Sequence, residues 1–202
     1  MKKWLPFIVI IGIIFIIGAY MASINNKLVV LDQKATAQWA NVESSYQRRA
    51  DLIPNIVSTA KGYAEFEQET LIQVTEARSR ATSINIDPSN ITPEQLAQFQ
   101  QAQAGVTSAL SRLLAVFERY PDLKANENFK ELINELERTE NRINVERNRF
   151  NEAARVLNTE IHQFPTKMFA GILGFHEKAY FQADAGSETA PKVEFDFGKD
   201  KN

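Results

Sequence analysis

Few side chains in this sequence have the types and spacing that catalysis requires. His162 and His176 are the only histidines, and the sequence contains no cysteine. A di-iron site in a helical bundle needs a Glu-x-x-His pair on each of two helices, but Thr159 and Leu173 stand three residues before the histidines. The glutamates around Glu65 are typical of a solvated helix face. The sequence therefore predicts no catalytic residue, no metal site and no cofactor.

Three asparagines near the C-terminal end of the sequence share a spacing of seven residues. Asn144, Asn151 and Asn158 follow a line of apolar residues, and Arg142 and Arg149 lie among them. Asparagine is a mediocre helix former, so three aligned copies indicate a specific use. One use is to fix helix register, and the other is a docking strip for another polypeptide. We favour register, and we keep all five residues as candidate interaction residues.

Two arginines stand beside a proline in the segment Gln47–Asn55. Arg48 and Arg49 precede Asp51 and Pro54, so Asp51 can cap a new helix, or Pro54 can lie within a continuous, kinked one. The guanidinium forks suit carboxylates of a neighbouring helix or an external anion, and internal pairing is the default. The candidate internal partners are Glu135, Glu137 and Glu140.

The C-terminal residues differ in character from the rest. Phe164–Phe175 is short and apolar, and further on Val193, Phe195 and Phe197 alternate with charged residues. Exposed aromatic surface of this kind marks a contact with a partner or a membrane. Folding back over the body is the alternative, which we favour. A further alternative is that the alternating residues at the C-terminal end add a strand to the edge of a partner's sheet.

The elements that must position these residues begin with a membrane anchor. Leu5–Ala22 carries no charge and spans roughly 27 Å as a helix, close to a hydrocarbon core of about 30 Å. A cleaved signal peptide is the rival interpretation. The apolar run is long for a signal peptide, however, and a cleavage site after Ala22 would place bulky Tyr20 where a small residue is needed. Lys2 and Lys3 predict a cytoplasmic N-terminus and an extracytoplasmic body.

Helical patterns fill the rest almost to residue 163. Thr92–Tyr120 begins with a capping box and carries one apolar stripe, and Asn25–Ser83 is helical with one interruption. A second long helix starts near Asn126, with apolar residues at Phe129, Leu136, Ile143, Phe150 and Leu157. The predicted fold is all-α: a transmembrane helix followed by an elongated antiparallel bundle of three to four long helices. The expected divisions are a basic N-terminus 1–4, the anchor 5–24, the bundle 25–163 and the tail 164–202.

Charge and composition narrow the class of partner. The net charge is −2 with a pI near 5.8, and no basic patch carries interleaved aromatics, so nucleic-acid binding is not expected. The absence of cysteine excludes disulfides. Small residues in the anchor and the seven-residue repeats also permit a homo-oligomer.

The order of several motifs resembles the LemA family of bacterial membrane proteins. The matching positions are Asn26–Val29, Trp39, Val42, Gln47–Asn55, Lys61–Ala64, Val74–Arg78, Glu118–Asn126, Glu140–Ile143, Phe150, Asn151, Asn158, Phe164, Pro165, Gly174 and Phe175. One departure is Phe66, where members commonly carry histidine. The resemblance implies a single-pass anchor, an antiparallel bundle and no catalytic residues.

The expected function is a non-enzymatic scaffold or adaptor in the bacterial cell envelope. The expected partner of the anchor is the lipid bilayer, and the expected partner of the bundle is an envelope protein. The resemblance makes a membrane protease one candidate, because genes of this family are found near genes of such proteases. The alternatives are a membrane-surface device that uses the apolar C-terminal segment and an enzyme of unrecognised type that uses Glu and Arg side chains in a cleft.

Overall fold

The computed structural model describes residues 4–62 and 67–183, and within these ranges the chain is helical without strands. The predicted all-α class is confirmed. The helices are α1 (Leu5–Lys61), α2 (Gln68–Thr82), α3 (Pro93–Phe117), α4 (Pro121–Ala125) and α5 (Glu127–His162), followed by a 3-10 turn at Thr166–Met168.

The first helix has 57 residues and continues without a break from the apolar anchor into the body. Its first part exposes large apolar side chains from Phe7 to Tyr20, and burial begins at Ile24. Within the described ranges, α1 is the one helix long and apolar enough to cross a membrane.

Pro54 lies inside α1, so the continuous helix is correct and a new helix at Asp51 is not formed. A proline inside a helix has no N–H for the carbonyl four residues earlier, here that of Ala50. Arg78 of α2 supplies the missing donor, because its Nε donates to the Ala50 carbonyl at 2.6 Å. The proline is therefore tolerated through a side chain of the neighbouring helix.

The body is an antiparallel arrangement in which α5 runs back along α1. Lys27 at the anchor end pairs with Glu160 at 2.6 Å, and Trp39 further along meets Phe150 at 5.3 Å between ring centroids. The helices α2 and α3 form a hairpin, and α2 also packs on α1. The predicted bundle is therefore found, and α1 supplies both the exposed apolar N-terminal stretch and one helix of the bundle.

The sequence signals at two helix starts are confirmed. The Thr92 side chain accepts from the Gln95 N–H, and the Gln95 side chain accepts from the Thr92 N–H. The Asn126 side chain accepts from the Phe129 N–H at 2.9 Å, so α5 begins where expected. These caps satisfy backbone donors that a helix start leaves unpaired.

Three apolar clusters lie in sequence along the rod. The five apolar residues that repeat every seven along α5 are all buried, as predicted. The anchor-end cluster comprises Ile24, Leu28, Ala35, Ala153, Leu157, Ile161 and Ala170. The aromatic cluster comprises Trp39, Val42, Tyr46, Ile86, Ile91, Leu96, Phe99, Ile143, Phe150, Ala154 and Phe181. The far-end cluster lies between residues 53 and 136 and joins α1, α2, α3 and α5.

The chain folds back after α5, as predicted, over the described residues up to 183. Residues 163–175 form a series of turns at the anchor end, and residues 176–183, here called the return segment, lie along the body. Val193, Phe195 and Phe197 lie outside the described residues.

Candidate interaction site

Two of the three aligned asparagines hold the return segment by its backbone. Asn158 donates from Nδ2 to the Lys178 carbonyl at 2.8 Å and accepts from the Lys178 N–H at 2.9 Å. Asn151 donates to the Phe181 carbonyl at 2.9 Å and accepts from the Phe181 N–H at 2.8 Å. The register interpretation is wrong for these two residues. They dock a polypeptide, and that polypeptide is a segment of the same chain.

The seven-residue spacing of the asparagines has a simple geometric cause. Seven residues of α-helix rise about 10.5 Å, and three residues of extended chain cover about 10 Å. Asn158 and Asn151 therefore meet residues 178 and 181 of a segment that runs alongside α5. Asn144, one repeat further, is exposed and lines an open cavity of about 370 Å³ with Gln182.

A buried lysine ties the return segment to two further elements. Lys178 is 2% exposed, and its Nζ lies 2.9 Å from Asp32 Oδ1 on α1. The same ammonium donates to the carbonyls of Pro88 at 2.8 Å and Ser89 at 3.2 Å, in the loop between α2 and α3. A buried charge is tolerated only with such partners, so this lysine joins α1, the α2–α3 loop and the return segment.

An aromatic side chain of the return segment completes the aromatic cluster. The Phe181 ring stacks on Trp39 at 5.8 Å between centroids, with the planes 13° apart. The Arg147 guanidinium lies 5.1 Å from the centroid of the same ring. The next carbonyl, of Gln182, accepts from Arg147 at 2.8 Å and from Gln100 of α3 at 3.1 Å. The return segment is thus an integral part of the bundle.

The adjacent arginines of α1 pair internally, as the default interpretation predicted. Arg48 Nε donates to Glu135 Oε1 at 2.9 Å. Arg49 is 2% exposed and donates to both carboxylate oxygens of Glu140 at 2.9 and 3.0 Å. It also donates to the side chains of Gln103 and Thr107 at 2.6 and 2.9 Å. Glu135 and Glu140 are partners among those named from the sequence.

A cavity of about 310 Å³ lies beside Arg49, between α1, α3 and α5. Tyr46, Gln103, Glu140 and Asn144 contribute to its wall. The guanidinium of Arg49 already donates to acceptors of the protein itself, so it is not available to bind a ligand in this cavity. Among the residues described, no group of three or more His, Cys, Asp or Glu is placed to hold a metal ion.

Arg142 and Arg149 of α5 share a buried carboxylate, and Arg149 lines a different surface. Arg149 Nη1 lies 3.0 Å from Glu146 Oε1, and Arg142 Nε lies 3.9 Å from the same oxygen. Arg149 also lines an open groove of about 490 Å³ between α1 and α5 with Lys34 and Val145. This surface, here called the α1–α5 groove, is more apolar than the Arg49 cavity.

The other candidate residues are separated from these surfaces. Asp51 is exposed and accepts from Gln47 at 2.8 Å, while Pro54 is exposed on α1. Phe164 is exposed at the anchor end, and Phe175 is partly buried against the anchor-end cluster. The structure therefore does not gather the sequence-predicted residues into one site.

Hydrogen bonding lowers the pKa of Glu135 and of Asp87, and a hydrogen bond from Arg155 does the same for the pKa of Glu152. Donors on Arg138 and then Arg48 hold the pKa of Glu135 below its ordinary value. The side chain and backbone of Ser89 hold the pKa of Asp87 below its ordinary value, and the charge of Lys178 acts in the same direction. Glu135 and Asp87 each stabilise a local contact: Glu135 between α1 and α5, and Asp87 in the α2–α3 loop.

Sequence reasoning missed Lys178, Asp32 and Arg78. Lys178 and Asp32 stand outside the repeats and motifs named above, and Arg78 lies in the family-matching run Val74–Arg78. The role of each depends on elements far away in the chain. Among the residues that hold the return segment, the asparagines carried a usable signal, because their spacing of seven is visible in the sequence.

Comparison with known proteins identifies relatives of the chain. The family model described as "LemA family" matches residues 38–195. The chain is 28% identical over 181 residues to Magnetosome protein MamQ 2 of Paramagnetospirillum magneticum, covering 81% of this chain and 66% of that protein. It is 29% identical over 142 residues to Protein LemA of Metamycoplasma hominis, covering 70% of this chain and 61% of that protein. The chain thus spans under two thirds of either relative's length.

Proposed function

The chain belongs to the LemA family, and on that premise we propose that it is a membrane-anchored, non-catalytic scaffold of the bacterial cell envelope. The observation that carries the proposal is the unbroken course of α1 from the apolar anchor into the bundle. In this proposal the anchor spans the cell membrane once, with the N-terminus in the cytoplasm and the bundle outside.

A continuous helix fixes the position of the body relative to the bilayer. Residues 24–61 of α1 rise about 57 Å, and this part of the helix contributes to all three apolar clusters. The anchor and the body therefore cannot rotate independently without breaking helical hydrogen bonds. A rod of this kind holds a binding surface at a set height above the membrane.

We propose the α1–α5 groove as that surface. Val145 is 47% exposed and lines the groove together with the cationic side chains of Lys34 and Arg149 and the carboxylate of Glu152. A mainly apolar surface that carries two cationic side chains and one carboxylate suits a helical segment with apolar and acidic side chains. The proposed partner is such a segment of another envelope protein, and a membrane protease is one candidate because of the family resemblance.

Site-specific photocrosslinking in cells tests this proposal. A photoreactive residue at Val145 or Gln38 should capture one and the same envelope protein, whereas Gln101, exposed on α3, should not. Lys34→Glu should abolish the crosslink at Val145 while the helical circular dichroism spectrum stays unchanged, because Lys34 is an exposed residue of the groove. Crosslinks only to lipid or to a second copy of the chain would refute the adaptor function.

The competing enzyme hypothesis has less support from the geometry. Its best location is the cavity beside Arg49, where Glu140, Gln103 and Thr107 already bind the guanidinium. The names of the relatives state no reaction. We therefore base the proposed function on the rod and its groove rather than on this cavity.

A further inference from the structure

The turns after α5 have one packed side and one exposed side. Phe169 and Leu173 pack against the anchor-end cluster, and Ala170 is buried within it. Three large apolar residues of the same turns face solvent and are spaced by four residues. They are Phe164, which is 83% exposed, Met168, 62%, and Ile172, 79%.

These exposed residues lie where α1 leaves the proposed membrane span. Glu160, near the end of α5, pairs with Lys27 of α1, and Ile161 shares the anchor-end cluster with Ile24. Since α5 runs antiparallel to α1, the chain beyond His162 continues toward the apolar part of α1. The turns are therefore at the level of residues just before Ile24.

We propose that residues 164–175 form a second membrane contact, with Phe164, Met168 and Ile172 inserted into the leaflet from which α1 emerges. This inference rests on the membrane anchor of the proposed function. The occupant is lipid because the turns pack beside Ile24, and α1 exposes apolar side chains at Ile17 and Tyr20, within two helical turns before Ile24. Exposed apolar residues beside a membrane span are typical of interfacial segments.

Cationic side chains at the same level fit the headgroup region. Lys167 is exposed within the turns, and the side chain of Lys27 is 60% exposed beside them. Long lysine side chains can extend from an apolar surface to lipid phosphates. The contact fixes the rotation of the bundle about α1, so that the α1–α5 groove faces a set direction along the membrane.

The test measures lipid contact at single positions of the full chain. Because the sequence has no cysteine, Ile172→Cys gives one labelling site for an environment-sensitive fluorophore. The protein is placed in phosphatidylcholine nanodiscs that contain spin-labelled lipid. Val145→Cys is the matched aqueous control, an exposed aliphatic on α5 that lies roughly 24 Å from Ile161 along the helix. Ile14→Cys, within the anchor, is the control for lipid contact.

We expect several-fold stronger quenching by the spin-labelled lipid at position 172 than at position 145, approaching that at position 14. Phe164→Asp should lower the quenching at position 172 several-fold, whereas Gln163→Asp should leave it unchanged. Strong quenching at position 14 with none at 172 would overturn the second contact and leave the anchor intact. Absence of quenching at both positions would overturn the anchor as well. A label at Met168 repeats the measurement if the label at 172 disturbs the turns.

Discussion

Replacing Asn158 by alanine should release the return segment from the bundle. The change removes the partners of both the N–H and the carbonyl of Lys178, a residue that is 2% exposed. Each buried group left without a partner costs about 1–3 kcal/mol. Water that enters as the segment loosens offsets part of the cost, so we expect a net loss of about 2–4 kcal/mol.

Hydrogen exchange of the full chain, followed by mass spectrometry, measures this loss locally. Exchange of residues 176–183 should become roughly 30- to 700-fold faster, since each 1.4 kcal/mol is a factor of ten. Asn148→Ala is the matched control, because Asn148 is exposed on the same helix and the substitution changes helix propensity equally. Asn158→Asp should be at least as damaging as alanine, since its carboxylate would face the Lys178 carbonyl.

The reasoning would be refuted if Asn158→Ala and Asn148→Ala had the same effect on exchange of the return segment. Asn151→Ala should lie between them, at about 1–2 kcal/mol, because its contacts with Phe181 are only partly buried.

Three further predictions concern the body of the protein, each read from the unfolding of the full chain in detergent. Arg78→Met should lower the free energy of unfolding by about 1–2 kcal/mol. The loss should be much smaller in a Pro54→Ala background, because residue 54 then has an N–H that can donate to the Ala50 carbonyl. Equal losses in both backgrounds would contradict our account of the proline. Arg49→Lys should lower the free energy of unfolding by about 2–3 kcal/mol, which is below the full value for a buried pair because the Glu140 carboxylate is 39% exposed. Arg48→Lys should have a much smaller effect. Equal effects would contradict the difference in burial between the two arginines. Glu135→Gln should lower the free energy of unfolding above pH 4.5, because the lowered pKa of Glu135 adds stability while the carboxyl group is ionised. The difference in stability from the wild type should shrink as the pH falls below 4.5. A difference that stays constant with pH would contradict this role.

Local patterns in the sequence were sufficient to predict α3 and α5. The end of α1 at Lys61 and the start of α2 at Gln68 were not predicted, because the one interruption of Asn25–Ser83 was placed at Pro54. The capping box at Thr92, the cap at Asn126 and the apolar repeat from Phe129 to Leu157 depend on neighbours within a few residues or on a single helix face. These signals are physical properties of one helix, so the sequence determines them without knowledge of the tertiary fold.

Contacts between distant segments were not predictable in the same way. The continuity of α1 through Pro54 depends on Arg78, which is 24 residues away and on another helix. The spacing of Asn151 and Asn158 was visible in the sequence, but the segment that they bind was not. The two asparagines bind the backbone of residues 178 and 181, and backbone groups leave no pattern of residue types in the sequence. The internal pairing of Arg49 was predictable in kind, and Glu140 was one of three candidate partners.

The central claim is that the anchor and the body form one rigid helix. Spin labels at Ile11→Cys and Val29→Cys, both exposed and five helical turns apart on one face, measure this by pulsed electron spin resonance in nanodiscs. The account predicts one narrow distance distribution, with an axial separation of about 27 Å. A broad distribution, or a mean clearly shorter than this, would show a hinge between membrane and bundle and would contradict the scaffold proposed here.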